Sequence, residues 1–158
     1  MAESAENQVP PGNGHIIICG FGLPGRAVAT ILEERGDAFC VIELNPQIVK
    51  RCADAGLWII HGDAAQKLTP ELAGIDRARL LIIAIPNDKA AIDTTIMARQ
   101  LNPTLRIITR CHYTSIGMAA TRAGAEAVVV AEQVVAQELK ALVWERLELP
   151  KPNPTPPS

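Results

Sequence analysis

The sequence is poor in aromatic residues, which make up 3% of its 158 residues, and it has no apolar run near the ~20 residues that span a bilayer. Its hydrophobic content of 48% comes mainly from Ile, Val, Leu and Ala. That composition favours a parallel sheet covered by helices over a β-sandwich. A net charge of −2 with scattered Lys and Arg predicts no nucleic-acid partner, and the lack of a long apolar run predicts no direct membrane insertion. The amino terminus lacks the basic and apolar parts of a signal peptide, so we expect a cytoplasmic protein.

Cysteine is scarce, and its spacing does not suggest a metal site. The four cysteines, Cys19, Cys40, Cys52 and Cys111, form no Cys-x-x-Cys pair. Cys19 and Cys40 lie in or at the end of apolar runs, which predicts buried free thiols. The sequence therefore predicts neither metal ligands nor a disulfide framework.

The chain is long enough for one compact domain. Residues 1–14 contain Pro10-Pro11, Gly12 and Gly14 and few apolar residues, so we expect a disordered lead-in. Five prolines crowd residues 148–158 and predict a disordered tail. The folded domain is therefore expected at residues 15–147.

Within this domain, six short apolar runs alternate with six amphipathic stretches. The expected strands are 15–19, 38–42, 57–60, 80–85, 105–109 and 127–130. The expected helices with defined bounds are 24–35, 88–101, 113–122 and 131–147. Two more helices are expected, one capped by Asn45 after the second strand and a short one capped by Thr69 after the third. This alternation predicts an α/β fold of the doubly wound, Rossmann type. Its six-stranded sheet would be mostly parallel, with helices on both faces and the ligand site beyond the carboxyl ends of the strands.

A Gly-x-Gly-x-x-Gly loop follows the first strand and precedes a helix. This context favours a dinucleotide-binding loop in which backbone amides face a phosphate. The alternative is that the glycines serve only to form a turn, which would produce the same sequence pattern. The candidate cofactor-binding residues of this loop are Gly20, Phe21, Gly22, Leu23, Pro24 and Gly25.

Glu43 ends the second strand, where an acid can accept hydrogen bonds from ribose hydroxyls. The same carboxylate would repel a 2′-phosphate, so NADP is disfavoured. The alternative is an ordinary solvated glutamate.

Three further loops end at the same predicted edge. Asp63, followed by Ala64, could accept from an adenine amino group or instead cap a helix. Ile85, in the loop after the fourth strand, could line the ligand, and Arg110 after the fifth strand could pair with phosphate or with a partner subunit.

Together these residues resemble the RCK domain, also called the TrkA-N or KTN domain, over about residues 15–140. The resemblance rests on the glycine loop, 42–45, 61–64, 84–88, Thr109-Arg110 and 124–130. It implies a nucleotide-sensing regulatory domain, without enzymatic activity, of potassium channels and transporters. It also implies NAD(H) or AMP, ADP or ATP as ligand, a homodimer or larger ring, and a membrane partner at the inner face of the membrane.

Two departures from the family pattern bear on the ligand. Leu23 stands where many members have a basic residue, so a phosphate contact is lost. The family's common carboxyl-terminal lobe is not expected after Leu147, so functions of that lobe are not carried over.

The alternatives are an NAD-dependent oxidoreductase and an S-adenosylmethionine-dependent methyltransferase, which share the fold and the loop. The sole tyrosine, Tyr113, has Gly117 rather than Lys four residues later, so no dehydrogenase dyad is predicted. His61 and His112 flank candidate ligand loops, but an ordinary hydrogen-bonded role is expected for both.

Overall fold

The computed structural model describes residues 6–147. The predicted disordered tail, 148–158, and the first five residues lie outside the described residues. Six parallel strands form one sheet in the order β3-β2-β1-β4-β5-β6, so the doubly wound Rossmann-type fold is confirmed. Strand β1 lies inside the sheet and pairs with both β2 and β4, so that β2 and β3 follow on one side of it and β4, β5 and β6 on the other. The carboxyl end of β1 is therefore the switch point at which such folds bind ligands.

The strands and helices alternate along the chain as the sequence predicts. The strands are β1 (Ile16–Cys19), β2 (Phe39–Glu43), β3 (Ile59–His61), β4 (Leu80–Ile83), β5 (Arg106–Cys111) and β6 (Ala127–Val130). The helices are α1 (Leu23–Arg35), α2 (Pro46–Asp54), α3 (Leu68–Leu72), α4 (Asp88–Leu101), α5 (Thr114–Ala123) and α6 (Ala131–Arg146), with a short 3₁₀ turn at Ile75–Arg77.

The central strands are buried on both faces because helices cover the sheet on both sides. All four residues of β1 are buried, and so are the first four of β2. One buried cluster contains Ile17, Ile42 and Ile83, and the other contains Ile18, Val41 and Ile59. This double burial explains why the strands are continuous apolar runs without polar alternation.

The residues before β1 differ from the predicted lead-in. Glu6 forms a parallel bridge with Ile59, and the Asn7 amide donates to the Ile59 carbonyl at 2.6 Å. The Arg77 guanidinium donates to the carbonyls of Pro10 and Gly12. Residues 6–7 thus lie at the outer edge of β3 and residues 10–14 at Arg77, held by backbone and arginine contacts that their composition does not reveal.

Smaller differences concern element boundaries. Strand β3 begins at Ile59 rather than residue 57, and β5 continues to Cys111, so Arg110 lies inside the strand. Helix α3 begins at Leu68 with no side-chain cap, so the predicted capping role of Thr69 is wrong. Thr69 is instead buried against Gly62, where a Cβ would lie 2.7 Å from its hydroxyl oxygen.

Within residues 6–147 no helix combines the length and apolar character that a bilayer crossing requires. The four cysteines are free and buried. Burial raises the pKa of Cys40 to about 12, so this thiol stays protonated at neutral pH. The prediction of buried free thiols at Cys19 and Cys40 is confirmed.

Candidate functional site

A cleft of about 1200 Å³ opens at the carboxyl edge of the sheet, at the switch point. Four loops, those that follow β1, β2, β3 and β4, form it together with the end of β5. It brings together ten of the eleven predicted site residues, which are Gly20, Phe21, Gly22, Leu23, Pro24, Glu43, Asp63, Ala64, Ile85 and Arg110. Gly25 does not line the cleft. The volume exceeds the usual range for a small-molecule pocket, so the cleft has room for a nucleotide.

The three glycines of the loop meet different steric demands. Gly20 has φ +88°, and a Cβ there would lie 3.1 Å from the backbone of Ala84. A Cβ at Gly25 would collide with the carbonyl oxygen of Gly20. Gly22 has φ −75° and no heavy atom within 4 Å of a Cβ position. Gly20 and Gly25 are therefore needed by the fold, whereas a side chain at Gly22 would only occupy open space.

The amino end of α1 borders the cleft, which Gly22, Leu23 and Pro24 line. No side chain caps the helix, Pro24 lies in its first turn, and that turn has no acidic residue. The amino end of a helix carries partial positive charge and donors without partners inside the helix. These conditions suit an anionic group of a ligand.

Glu43 holds the glycine loop in place. One carboxylate oxygen accepts from the Phe21 amide at 2.8 Å, and the other accepts from the amides of Leu44 and Asn45 at 2.8 and 2.9 Å. The sequence predicted a ribose-binding acid here but not this anchoring role. A partner 22 residues earlier in the chain leaves no periodic signal in the sequence.

Asp63 closes a turn beside the cleft. Its Oδ1 accepts from the Ala65 amide at 2.9 Å, and its carbonyl accepts from Gln66. Helix α3 starts five residues later, so Asp63 does not cap it. Contact of Asp63 with an adenine amino group stays a prediction.

The loop after β4 forms the opposite wall of the cleft. Asn87 caps α4 by accepting from the Ala90 amide at 2.9 Å. Asp88, the first residue of α4, accepts from both the backbone amide and Nδ1 of His112, at 3.0 and 2.8 Å. The loop thereby joins the cleft to the end of β5.

Arg110 is the charged residue of β5 that reaches the cleft. It pairs with Val129 in the sheet ladder, and its side chain lines the cavity. Within residues 6–147 its guanidinium forms no hydrogen bond or ion pair. A permanent cation without an acidic partner is therefore available to an anionic ligand.

The three histidines occupy ordinary hydrogen-bonded positions. His61 Nε2 lies 3.2 Å from the Leu44 carbonyl, and His112 pairs with Asp88. His15 is buried with Nε2 2.7 Å from the Ala73 carbonyl, and burial lowers its pKa from the ordinary value of 6.5. No cluster of three or more His, Cys, Asp or Glu in the described part of the chain could hold a metal ion.

Several polar residues of the cleft were not predicted as site residues. They are Asn45 and Gln47 at the start of α2, Gln66 after Asp63, and Lys89 and Asp93 on α4. Lys89 pairs with Asp93 at 2.5 Å, an arrangement that the i, i+4 spacing could have suggested.

The sequence of the chain matches a known domain family and several known proteins. The family model of the TrkA-N domain matches residues 16–131. The chain is 33% identical over 106 residues to probable potassium channel protein 2 of Methanocaldococcus jannaschii. It is 30% identical over 145 residues to the chloroplastic K(+) efflux antiporter 2 of Arabidopsis thaliana. These matches cover 65% and 92% of this chain but only 31% and 12% of the relatives, so the chain spans less than a third of either relative.

Two solved structures share this fold. The TrkA-N domain of the inner membrane protein ybaL from Escherichia coli superposes with a TM-score of 0.81 at 29% identity, covering 85% of this chain and 99% of that one. The Kef CTD of Shewanella denitrificans in its AMP-bound form has a TM-score of 0.69 at 25% identity, with 84% and 81% covered. The family match spans most of the chain, and the chain therefore belongs to the TrkA-N domain family.

Proposed function

We propose that this chain is a nucleotide-sensing regulatory domain that binds NAD(H) or AMP, ADP or ATP and gates potassium or other cation transport through a membrane partner. The observation that carries the proposal is the cleft itself. It combines an uncapped helix end, the acid Glu43 beside the glycine loop, and the unpaired cation Arg110. This set matches a ligand that has a ribose at one end and phosphate at the other.

The positions of these groups suggest how an adenosine phosphate lies in the cleft. The ribose would lie near Glu43, whose carboxylate has further acceptor capacity, and the adenine near Asp63 and Ala64. The phosphate would lie between Gly22 and the amino end of α1, with Arg110 reaching it from β5 and Ile85 lining the cleft after β4. The AMP-bound Kef CTD, of similar fold, supports a nucleotide of this class.

A regulatory rather than enzymatic role fits the chemistry of the cleft. His61 and His112 lie outside the lining of the cleft and are both engaged in hydrogen bonds with the protein, and the relatives are a channel and an antiporter. Binding would act by population shift, because a nucleotide with unequal affinity for two arrangements of paired domains biases one of them.

Helix α6 supplies the surface for such pairing. None of its residues is buried, and its exposed apolar side chains include Val135, Leu139, Leu142 and Val143. We propose that this face joins two copies in a homodimer or larger ring at the cytoplasmic face of the membrane. Such an apolar stripe on a helix is usual at interfaces between subunits.

A thermal-shift panel with NAD, NADH, AMP, ADP, ATP and S-adenosylmethionine tests the ligand. A ligand at a hundred times its Kd stabilises the native state by about 2.7 kcal/mol, which raises the Tm by roughly 5–10 °C. Gly22→Val should abolish that shift while the unliganded Tm stays near wild type, because the site is open and its φ suits any residue.

Ala27→Val, an exposed position on the same helix, is the matched control and should keep the nucleotide shift. Stabilisation by none of the adenosine phosphates would contradict the proposal. Hydride turnover with NAD, or stabilisation by S-adenosylmethionine alone, would instead favour an oxidoreductase or a methyltransferase.

A further inference from the structure

A second, smaller crevice of about 340 Å³ lies on the outer side of the glycine loop, between α1 and α2. It shares Phe21, Gly22 and Ile48 with the cleft, so the same loop separates the two cavities. The remaining lining residues are Arg26, Arg51, Cys52, Ala55 and Leu57.

The crevice has two cationic side chains and no acidic one. Within residues 6–147, neither Arg26 nor Arg51 forms a side-chain hydrogen bond or ion pair. Five other arginines have such partners, which are Arg35, Arg77, Arg79, Arg99 and Arg106. Two guanidinium groups without partners on facing helices, in one concavity, leave a local positive charge that an anion can neutralise.

The nearest acid does not cancel this charge by direct pairing. Glu43 and Arg51 both act electrostatically on Cys52, so the carboxylate lies within reach of the crevice. However, Glu43 does not line it, and both its oxygens accept from backbone amides. The guanidinium groups therefore remain open to a ligand.

We propose that Arg26 and Arg51 form a phosphate-binding subsite that is separate from the position of the nucleotide phosphate beside Arg110. Arginine presents a fork of N–H donors that matches phosphate oxygens, and two arginines balance the charge of a dianion. The apolar lining from Phe21, Ile48 and Leu57 would exclude water from one side of the contact and strengthen it.

The phosphate could come from two sources. It could be a free anion, or it could be an additional phosphate carried by a nucleotide in the cleft, in which case the inference rests on the proposed function. Glu43 disfavours a 2′-phosphate that stays next to it, whereas Arg26 and Arg51 line the adjoining crevice, which shares Phe21, Gly22 and Ile48 with the cleft. Inorganic phosphate and 2′,5′-ADP, each compared with 5′-AMP, represent these sources.

Isothermal titration calorimetry at low ionic strength tests the subsite on the full chain. The double variant Arg26→Gln/Arg51→Gln should weaken phosphate binding at least about tenfold, because hydrogen bonds to charged groups contribute about 1.5–3 kcal/mol each. The control Arg122→Gln/Arg146→Gln removes the same charge from the last turns of α5 and α6 and should bind like wild type.

The outcomes separate this site from the proposed function. Binding of inorganic phosphate in the presence of saturating 5′-AMP, lost only in the Arg26/Arg51 variant, supports a free-anion site. Tighter binding of 2′,5′-ADP than of 5′-AMP, lost in the same variant, supports a nucleotide-borne phosphate. No gain from either probe in the wild type, or an equal loss in the control, overturns the subsite. Failure of NAD, NADH, AMP, ADP and ATP alike to bind contradicts the proposed function instead.

Discussion

Replacement of Glu43 should destabilise the domain as well as weaken ligand binding. The carboxylate accepts three backbone hydrogen bonds, from Phe21, Leu44 and Asn45. The site is half-exposed, so water can replace part of what is lost, and a loss of about 1–3 kcal/mol in total is expected for Glu43→Ala. For a domain of this size that corresponds to a Tm lower by roughly 3–10 °C.

Glu43→Gln should have a smaller effect, because its carbonyl oxygen can still accept from Leu44 and Asn45. Its NH₂ group, however, would face the Phe21 N–H, and two donors cannot bond. Thermal and urea unfolding of both variants, beside Glu34→Ala on the exposed face of α1, measures these differences. A Glu43→Ala protein that melts within 1 °C of wild type would refute the anchoring role, and so would a glutamine variant as unstable as the alanine one.

Two further predictions concern pH and assembly. Burial lowers the pKa of His15 below 6.5, so the unfolded chain binds a proton more readily than the folded one, and the free energy of unfolding should fall as the pH drops through 6.5. His15→Gln should flatten this dependence in urea titrations at pH 5–8, and an unchanged slope would contradict the assignment. Leu139→Glu, which places charge in the exposed apolar face of α6, should shift the chain to monomer in analytical ultracentrifugation and remove the dependence of its Tm on protein concentration. A wild-type chain that is monomeric at high concentration would count against pairing through this face.

The sequence was sufficient to predict the sheet and the cleft because both depend on local patterns. Continuous apolar strands, such as Ile16–Cys19, indicate burial on both faces, and strict alternation with helices leaves parallel pairing as the consistent arrangement. Since the carboxyl ends of parallel strands meet at one edge, residues as distant as Gly20 and Arg110 could be placed together before their geometry was known.

Contacts between distant segments could not be predicted in the same way. The bond from Phe21 to Glu43 and the pairing of Asp88 with His112 depend on three-dimensional loop paths, which leave no periodic signature. The contacts of residues 6–14 could not be predicted because their composition is typical of disorder, whereas Arg77 and the open edge of β3 provide the partners that hold them. The arginines of the second crevice lie on different helices, and neither helix alone distinguishes them from solvated surface charges.

The segment along β3 has a mechanical consequence. Asn7 hydrogen-bonds to Ile59 through its backbone and to the His61 amide through its side chain, at 2.6 and 3.3 Å. His61 leads directly into the turn at Asp63, which forms one wall of the cleft. Pulling residues 6–8 away from the sheet would free an edge strand for pairing with another chain and would loosen that wall at the same time. A force that pulls on residues 6–8 would thus act on this wall of the cleft through the short strand β3.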